Sequence, residues 1–269
     1  MFHSIQLNRA TIATFILLVV ICHVAHGREV RDIDADRDAF TPSTSLVDDN
    51  HSLFESAFTF IDVRSGPDTY SFPEFLFRKR IADRFELRLG VNQEIGSSGN
   101  VVTAIESGEG LGDTLSSETS LFYGLKTRLT EQSGWMPRSV VIVEAFTPVA
   151  GEVWNTEPVA SVVWGWELPD YYRFDAAFRY VYAAGEEGTF NRWQPSVALR
   201  MPMTEQFEVH AEWFGTWTTG HMNDTVRPFA GPGCHFLITK GFELGLRMGW
   251  GLTQDAANFF FNAGTAYRF

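Results

Sequence analysis

Strict two-residue alternation is the feature that most narrows what this chain can fold into. Phe242, Leu244, Leu246, Met248, Trp250 and Leu252 share one phase, while Glu243, Gly245, Arg247, Gly249 and Gly251 share the other. Successive side chains of an extended strand point to opposite faces, so one face is apolar and the other polar. The pattern recurs in Tyr172, Phe174, Ala176, Phe178, Tyr180 and Tyr182 against Arg173, Asp175, Ala177 and Arg179. Phe207, Val209, Ala211 and Trp213 oppose Glu208, His210 and Glu212, and Phe85, Leu87, Leu89 and Val91 oppose Glu86, Arg88, Gly90 and Asn92. No window after Leu53 sustains a helical stripe, so this part of the chain is all-β.

Twelve such rows lie near residues 53–64, 70–81, 85–94, 115–129, 139–146, 159–168, 171–183, 193–201, 207–217, 227–237, 241–252 and 258–269. Their connections alternate between longer and shorter, the shorter set including Pro169-Asp170 and the turn around Lys240. An even count with that alternation suits a closed bacterial barrel crossing a membrane. The rival is a soluble sandwich or lipocalin-like barrel with its apolar rows turned inward. Against it stand 24 Phe and 8 Trp, too many aromatics for one small core. The last strand also places Phe259, Phe261, Ala263, Thr265, Tyr267 and Phe269 on one face and ends on an aromatic residue. Such an ending resembles the signal read by outer-membrane assembly machinery, with Phe269 and Tyr267 as its elements. The expectation is a transmembrane antiparallel up-and-down β-barrel of twelve strands over residues 51–269.

The N-terminus fits that expectation. Arg9 precedes an apolar stretch from Ala10 to Cys22, and small residues Ala25 and Gly27 precede a cut before Arg28, the layout of a secretory signal peptide over residues 1–27. A membrane-spanning helix needs about 20 apolar residues, and His23 and His26 end the run too early. Removing the signal removes Cys22 and leaves Cys234 as the only cysteine, so the mature chain forms no internal disulfide. Residues 28–50 carry Arg28, Glu29, Arg31, Asp32, Asp34, Asp36, Arg37 and Asp38 with few large apolar residues, the composition of a disordered, acidic, solvated tether. A net charge of -12 argues against nucleic acid as a partner.

The stretch from Phe54 to the end resembles the meta-pathway phenol-degradation family of outer-membrane proteins. The pieces that carry the likeness are Gly110-Leu111-Gly112-Asp113 before a strand reaching Lys126, Glu144 to Gly151, Glu205 to Gly215, and Gly251 to Ala256 before Gly264 to Phe269. The resemblance implies a channel or transporter, with hydrophobic or aromatic solutes as candidates. One departure is Phe229-Ala230-Gly231-Pro232-Gly233, where small residues and a proline would interrupt the ladder of strand ten and weaken closure.

Glu208, His210 and Glu212 share a strand face and raise the question of a metal site. Residues two apart on a strand are about 7 Å apart, whereas ligands converge to about 2.0–2.2 Å from one ion, so the row reads as polar wall. No Gly-x-Ser-x-Gly, phosphate-loop or dinucleotide pattern occurs, and no cofactor is implied. The expected role is non-enzymatic, in the bacterial outer membrane, with lipid, the assembly machinery and a small-molecule solute as partners. The alternatives are a closed structural barrel and a lipid-modifying envelope enzyme. With apolar rows on lipid, Arg78, Arg80, Glu86, Arg88, Lys126, Arg128, Glu144, Arg173, Asp175, Arg179, Arg200, Glu208, Glu212, Glu243 and Arg247 would line the lumen. The arginines of strands two, three, four and seven would then face Glu208, Glu212 and Glu243 across a lumen divided by charge.

Overall fold

The computed structural model describes residues 33–37, 39–97, 102, 116–151, 155–185, 188–220 and 224–269. The signal sequence, Asp38 and the Gly110-Leu111-Gly112-Asp113 piece lie outside the described residues. Among the described residues, twelve strands follow one another: β1 (Ser52–Asp62), β2 (Thr69–Ala82), β3 (Phe85–Gly96), β4 (Ser116–Thr130), β5 (Arg138–Ala150) and β6 (Glu157–Glu167). The others are β7 (Arg173–Gly185), β8 (Gly188–Pro202), β9 (Phe207–Thr219), β10 (Val226–Thr239), β11 (Phe242–Gly251) and β12 (Phe259–Arg268). Each pairs antiparallel with its sequence neighbours, and β1 pairs with β12, which closes the barrel. At the junction Ser52 N donates to Phe269 O at 2.7 Å and Phe269 N to Ser52 O at 3.0 Å.

Alternation decides which side chain goes where. In β11, Leu244, Leu246, Met248 and Trp250 face outward and exposed, while Glu243, Gly245, Arg247 and Gly249 are buried inside. At the end of β12, Tyr267 and the residue just past the strand, Phe269, stack outward with ring centroids 5.7 Å apart. Every row picked out by periodicity corresponds to a strand, but boundaries move. β8 starts at Gly188 rather than near residue 193, and β5 runs on to Ala150. Only residues 186–187 separate β7 from β8, so the expected alternation of long and short connections is broken there. The chief long connection is 97–115, between β3 and β4.

Strand ten answers the doubt about closure on one side only, since its pairing with β11 skips Gly231 and Pro232. β10 pairs with β9 without a break from Val226 to Phe236, through both prolines. The small residues have a packing cause. A Cβ at Gly233 would lie 2.2 Å from His210 Cε1, and one at Gly231 would lie 1.9 Å from Met248 O. Glycine is required where a ring and a neighbouring backbone come this close.

The largest correction concerns residues 28–50, read as a solvated tether. Residues 33–37 and 39–47 enter the barrel instead, while Asp48, Asp49 and Asn50 stay exposed at its end. Ile33, Ala35, Asp36, Arg37, Ala39, Phe40, Thr41, Ser43, Thr44, Leu46 and Val47 are all buried. We refer to residues 33–49 as the strap. A polar strap in a polar lumen has the composition of a solvated tether, because the groups that satisfy its charges are supplied by the wall.

Candidate functional site

The strap climbs from the end of the barrel that holds the chain termini and turns back. Ile33, Ala35 and Val47 pack near that end against Leu53, Ala266 and Leu237. Phe40 reaches toward the opposite end of the barrel, where it joins Ile61, Phe214, Phe229, Phe260, Val102 and, from the β11–β12 connection, Ala256 and Ala257. Among the described residues the strap contains no strand, and it is tied to the wall through side chains rather than through a ladder.

Three acidic wall residues hold its backbone. Glu55 Oε2 accepts from Asp36 N and Arg37 N, both at 2.8 Å. Glu212 accepts from Thr41 N at 2.6 Å and Phe40 N at 3.2 Å, and Glu86 accepts from Val47 N at 2.8 Å. Arginines hold its carbonyls: Arg78 donates to Asp34 O at 2.8 Å and Ser45 O at 3.2 Å, and Arg200 to Thr41 O at 3.0 Å. Ser43 N donates to Asp36 Oδ1 at 3.0 Å, fixing the strap's own turn.

Its charges are paired as well. The Asp36 carboxylate lies 2.7 Å from Arg88, 3.3 Å from Lys126 and 3.5 Å from Arg78. Asp34 lies 2.8 Å from Arg173 and 3.2 Å from Arg200, and Arg37 lies 3.5 Å from Glu74 with its guanidinium over the Phe122 ring. Burial opposes ionisation of Asp36, but Arg78, Lys126 and Arg88 outweigh it and hold the carboxyl well below the usual carboxylate range. Burial likewise opposes ionisation of Asp34, and Arg173 and Arg200 hold it low. Groups with depressed pKa stabilise docking above their ordinary value of 3.8, and that contribution fades as pH falls below it.

Of the residues expected inside, Arg78, Glu86, Arg88, Lys126, Glu144, Asp175, Arg179, Arg200, Glu208, Glu212, Glu243 and Arg247 are buried within the barrel. Arg173 is half-buried, paired with Glu208 at 3.1 Å. Arg80 and Arg128 sit at the rim, paired with the exposed acids Asp49 and Glu131. The expected division of charge across the lumen does not occur. Cations and anions interleave, as in Arg88 with Glu144 at 2.7 Å and Arg247 with Glu212 at 2.7 Å, each pair reaching across an intervening strand that carries glycine there, Gly124 of β4 or Gly231 and Gly233 of β10.

Glu208, His210 and Glu212 do not converge on a point. Glu208 turns to Arg173, Glu212 to Arg247 and the strap, and His210 Nδ1 lies 3.0 Å from His235 Nε2. His235 Nδ1 in turn lies 3.2 Å from Glu243. Periodicity could have placed His235 in the inward phase of β10, but its pairing with His210 depends on register.

Inside the barrel two apolar clusters lie among buried polar side chains such as Asn92, Glu157 and Arg192. Phe40 and Phe214 stack at 4.3 Å, Phe214 and Phe229 lie 5.2 Å apart, and Phe260 meets Phe229 edge-on at 5.9 Å. Arg247 covers Phe260 and Phe214 at 5.0 and 5.5 Å and donates to Val102 O of the long β3–β4 connection. A second inward cluster gathers Leu76, Phe122, Phe146, Val159, Val181 and Phe190. The sequence reading missed both clusters because it put the aromatic rows outside. Runs such as Trp213-Phe214 and Phe259-Phe260-Phe261 carry no phase of their own.

Comparison with known proteins places this geometry. The fold is similar to the COG4313 outer membrane channel from Pseudomonas putida F1, with a TM-score of 0.60 at 12% identity, covering 87% of this chain and 100% of that one. It is also similar to the NanC porin, with a TM-score of 0.54 at 10% identity, covering 80% and 98%. The translocator domain of the autotransporter NalP from Neisseria meningitidis gives 0.50 at 11% identity, covering 81% and 88%. No curated protein matches this sequence. Residues 35–269, the strap from Ala35 onward together with the whole barrel, match the family described as "Putative MetA-pathway of phenol degradation", and the chain belongs to that family.

Proposed function

We propose that this protein spans the bacterial outer membrane, after signal-directed export, as a non-enzymatic channel for small solutes whose lumen is gated by the strap. The observation that carries this reading is how the strap is held. It is bound to the wall by side chains and shares no ladder with it, so it can leave without breaking any strand pairing. Its termini-bearing end is then periplasmic, and the opposite end of the barrel faces outside the cell. The apolar clusters favour hydrophobic or aromatic solutes, which desolvate at little cost in such surroundings. Tyr267 and Phe269 serve as the assembly signal on this reading.

The gate is tested by conductance. In planar bilayers, the mature chain lacking residues 33–49 is expected to conduct more than the full mature chain, with heat-modifiable migration showing that both are folded. Silence from both folded proteins would favour a closed structural barrel instead.

Membrane placement is tested separately. Arg at Leu246 or Phe178, both outward and exposed, is expected to cost about 2–4 kcal/mol near the bilayer midplane. The measurement is urea unfolding in lipid vesicles, and an unchanged midpoint for both would mean that these rows do not meet lipid.

A further inference from the structure

The β10–β11 seam is short of ladder pairings, as are β2–β3 at Phe72-Pro73 and β8–β9 at Gln194-Pro195. Between β10 and β11 the pairings run Phe229 with Gly251 and Ala230 with Trp250, then resume at Gly233 with Arg247. Gly231 and Pro232 make none. Leu252 N donates to Pro228 O at 2.9 Å, so the backbone edge of Pro228 faces β11. Pro232, four residues on and in the same phase, faces the same way. Proline has no N–H, so two donors are missing from this one seam while the β9 side stays continuous.

On the inner side the Arg247–Glu212 ion pair reaches across β10 at this stretch, and next to it the wall is bare. Inside, Gly231 and Gly249 offer no side chain, and the Phe260 ring lies against Gly249, where an added Cβ would come within 2.5 Å of it. The aromatic cluster therefore abuts the weak stretch directly. Outside, a groove of about 280 Å³ is lined by Cys234, Phe236, Leu244, Leu246, Ala263 and Thr265. It begins at the Cys234–Leu246 pair, next to the Gly233–Arg247 pair where the ladder resumes. A dry cavity of about 150 Å³ already accepts benzene, so the groove has room for a small aromatic. Toward the periplasm, by contrast, the way is filled by the strap and its ion pairs.

We propose that the β10–β11 seam is a lateral exit, through which a small apolar solute passes from the aromatic cluster into the outer groove and the lipid. The inference rests on the transport reading and names the route and the solute class. An apolar molecule leaving sideways avoids the charged network around Asp36, where its passage would strip solvation from ion pairs and return nothing. Parting two strands is least costly where ladder bonds are already absent.

The native Cys234 supplies the test. Leu246 is its direct partner across the seam, and opposed residues of an antiparallel pair lie about 4.5–5.5 Å apart at Cα, within disulfide reach. Cells carrying Leu246→Cys are oxidised or reduced, and uptake of N-phenyl-1-naphthylamine, which fluoresces on reaching lipid, is followed. Oxidation is expected to lower uptake to that of cells lacking the protein, and reduction to restore it. Pro232→Val, which returns a ladder donor, is expected to slow uptake without any cross-link. Equal uptake in oxidised and reduced cells, with the disulfide verified, would overturn the lateral exit while leaving transport through the lumen standing. Wild-type cells that take up no more dye than cells lacking the protein would also overturn it, and the conductance of the strap deletion would then judge the channel reading by itself.

Discussion

Asp36→Ala is expected to release the root of the strap from the barrel. The change leaves Arg88, Lys126 and Arg78 around a missing anion, with Lys126 and Arg78 fully buried and Arg88 nearly so. Removing one partner of a buried ion pair costs about 3–5 kcal/mol, because the surviving charge stays desolvated. The least costly relief is for water to enter, which requires the strap to move. Limited proteolysis of the folded protein should therefore begin to cut within residues 33–49, and bilayer conductance should rise with it. Asp36→Asn keeps the volume and an acceptor for Ser43 N, so it should fall between wild type and Ala. Continued protection of the strap in Asp36→Ala would show that Glu55, Glu86 and Glu212 suffice to hold it.

Phe40→Ala is expected to loosen the tip and leave the root in place. Truncating a buried Phe costs about 3–5 kcal/mol in lost transfer and cavity terms, and here it removes the stack on Phe214. The bonds from Glu212 go to the backbone of residues 40 and 41 and are indifferent to the side chain. Cleavage should appear near residues 40–46, while residues 33–37, anchored by Glu55 and the arginines, stay protected. Cleavage beginning at residues 33–37 would mean that the strap undocks as one unit.

The wall was legible in the sequence because it is written in period two. Each row around Leu246, Phe178, Trp213 or Leu89 had one apolar phase and one charged phase, and the charged phase turned inward in every case. The contents of the barrel were not legible. Asp34, Asp36 and Arg37 look identical in sequence whether their partners are water or Arg173, Arg88 and Glu74, since those partners lie on distant strands. Local composition records how much a segment needs solvation, not who supplies it. The inward aromatics failed for a related reason. Phe122 sits between Leu121 and Tyr123, and three consecutive apolar residues hide which one faces in. Closure depends on such long-range partners too, as Pro232 shows by keeping its place beside β9 while leaving β11 without a donor.

The junction of β1 with β12 sets an order of events on the path to the finished molecule. It joins Leu53 to Arg268, so the cylinder stays an open, curling sheet until the last residues have arrived. Contacts this remote in sequence form late, after the neighbouring hairpins. The strap sits immediately ahead of β1, on the concave side of that curl. The simplest course is for it to settle there while the cleft is still wide, its acids recruiting arginines from β2, β3, β7 and β8 as each strand is laid down. The segment that later obstructs the conduit would then serve first as a mandrel, around which the staves are drawn before the final joint is sealed.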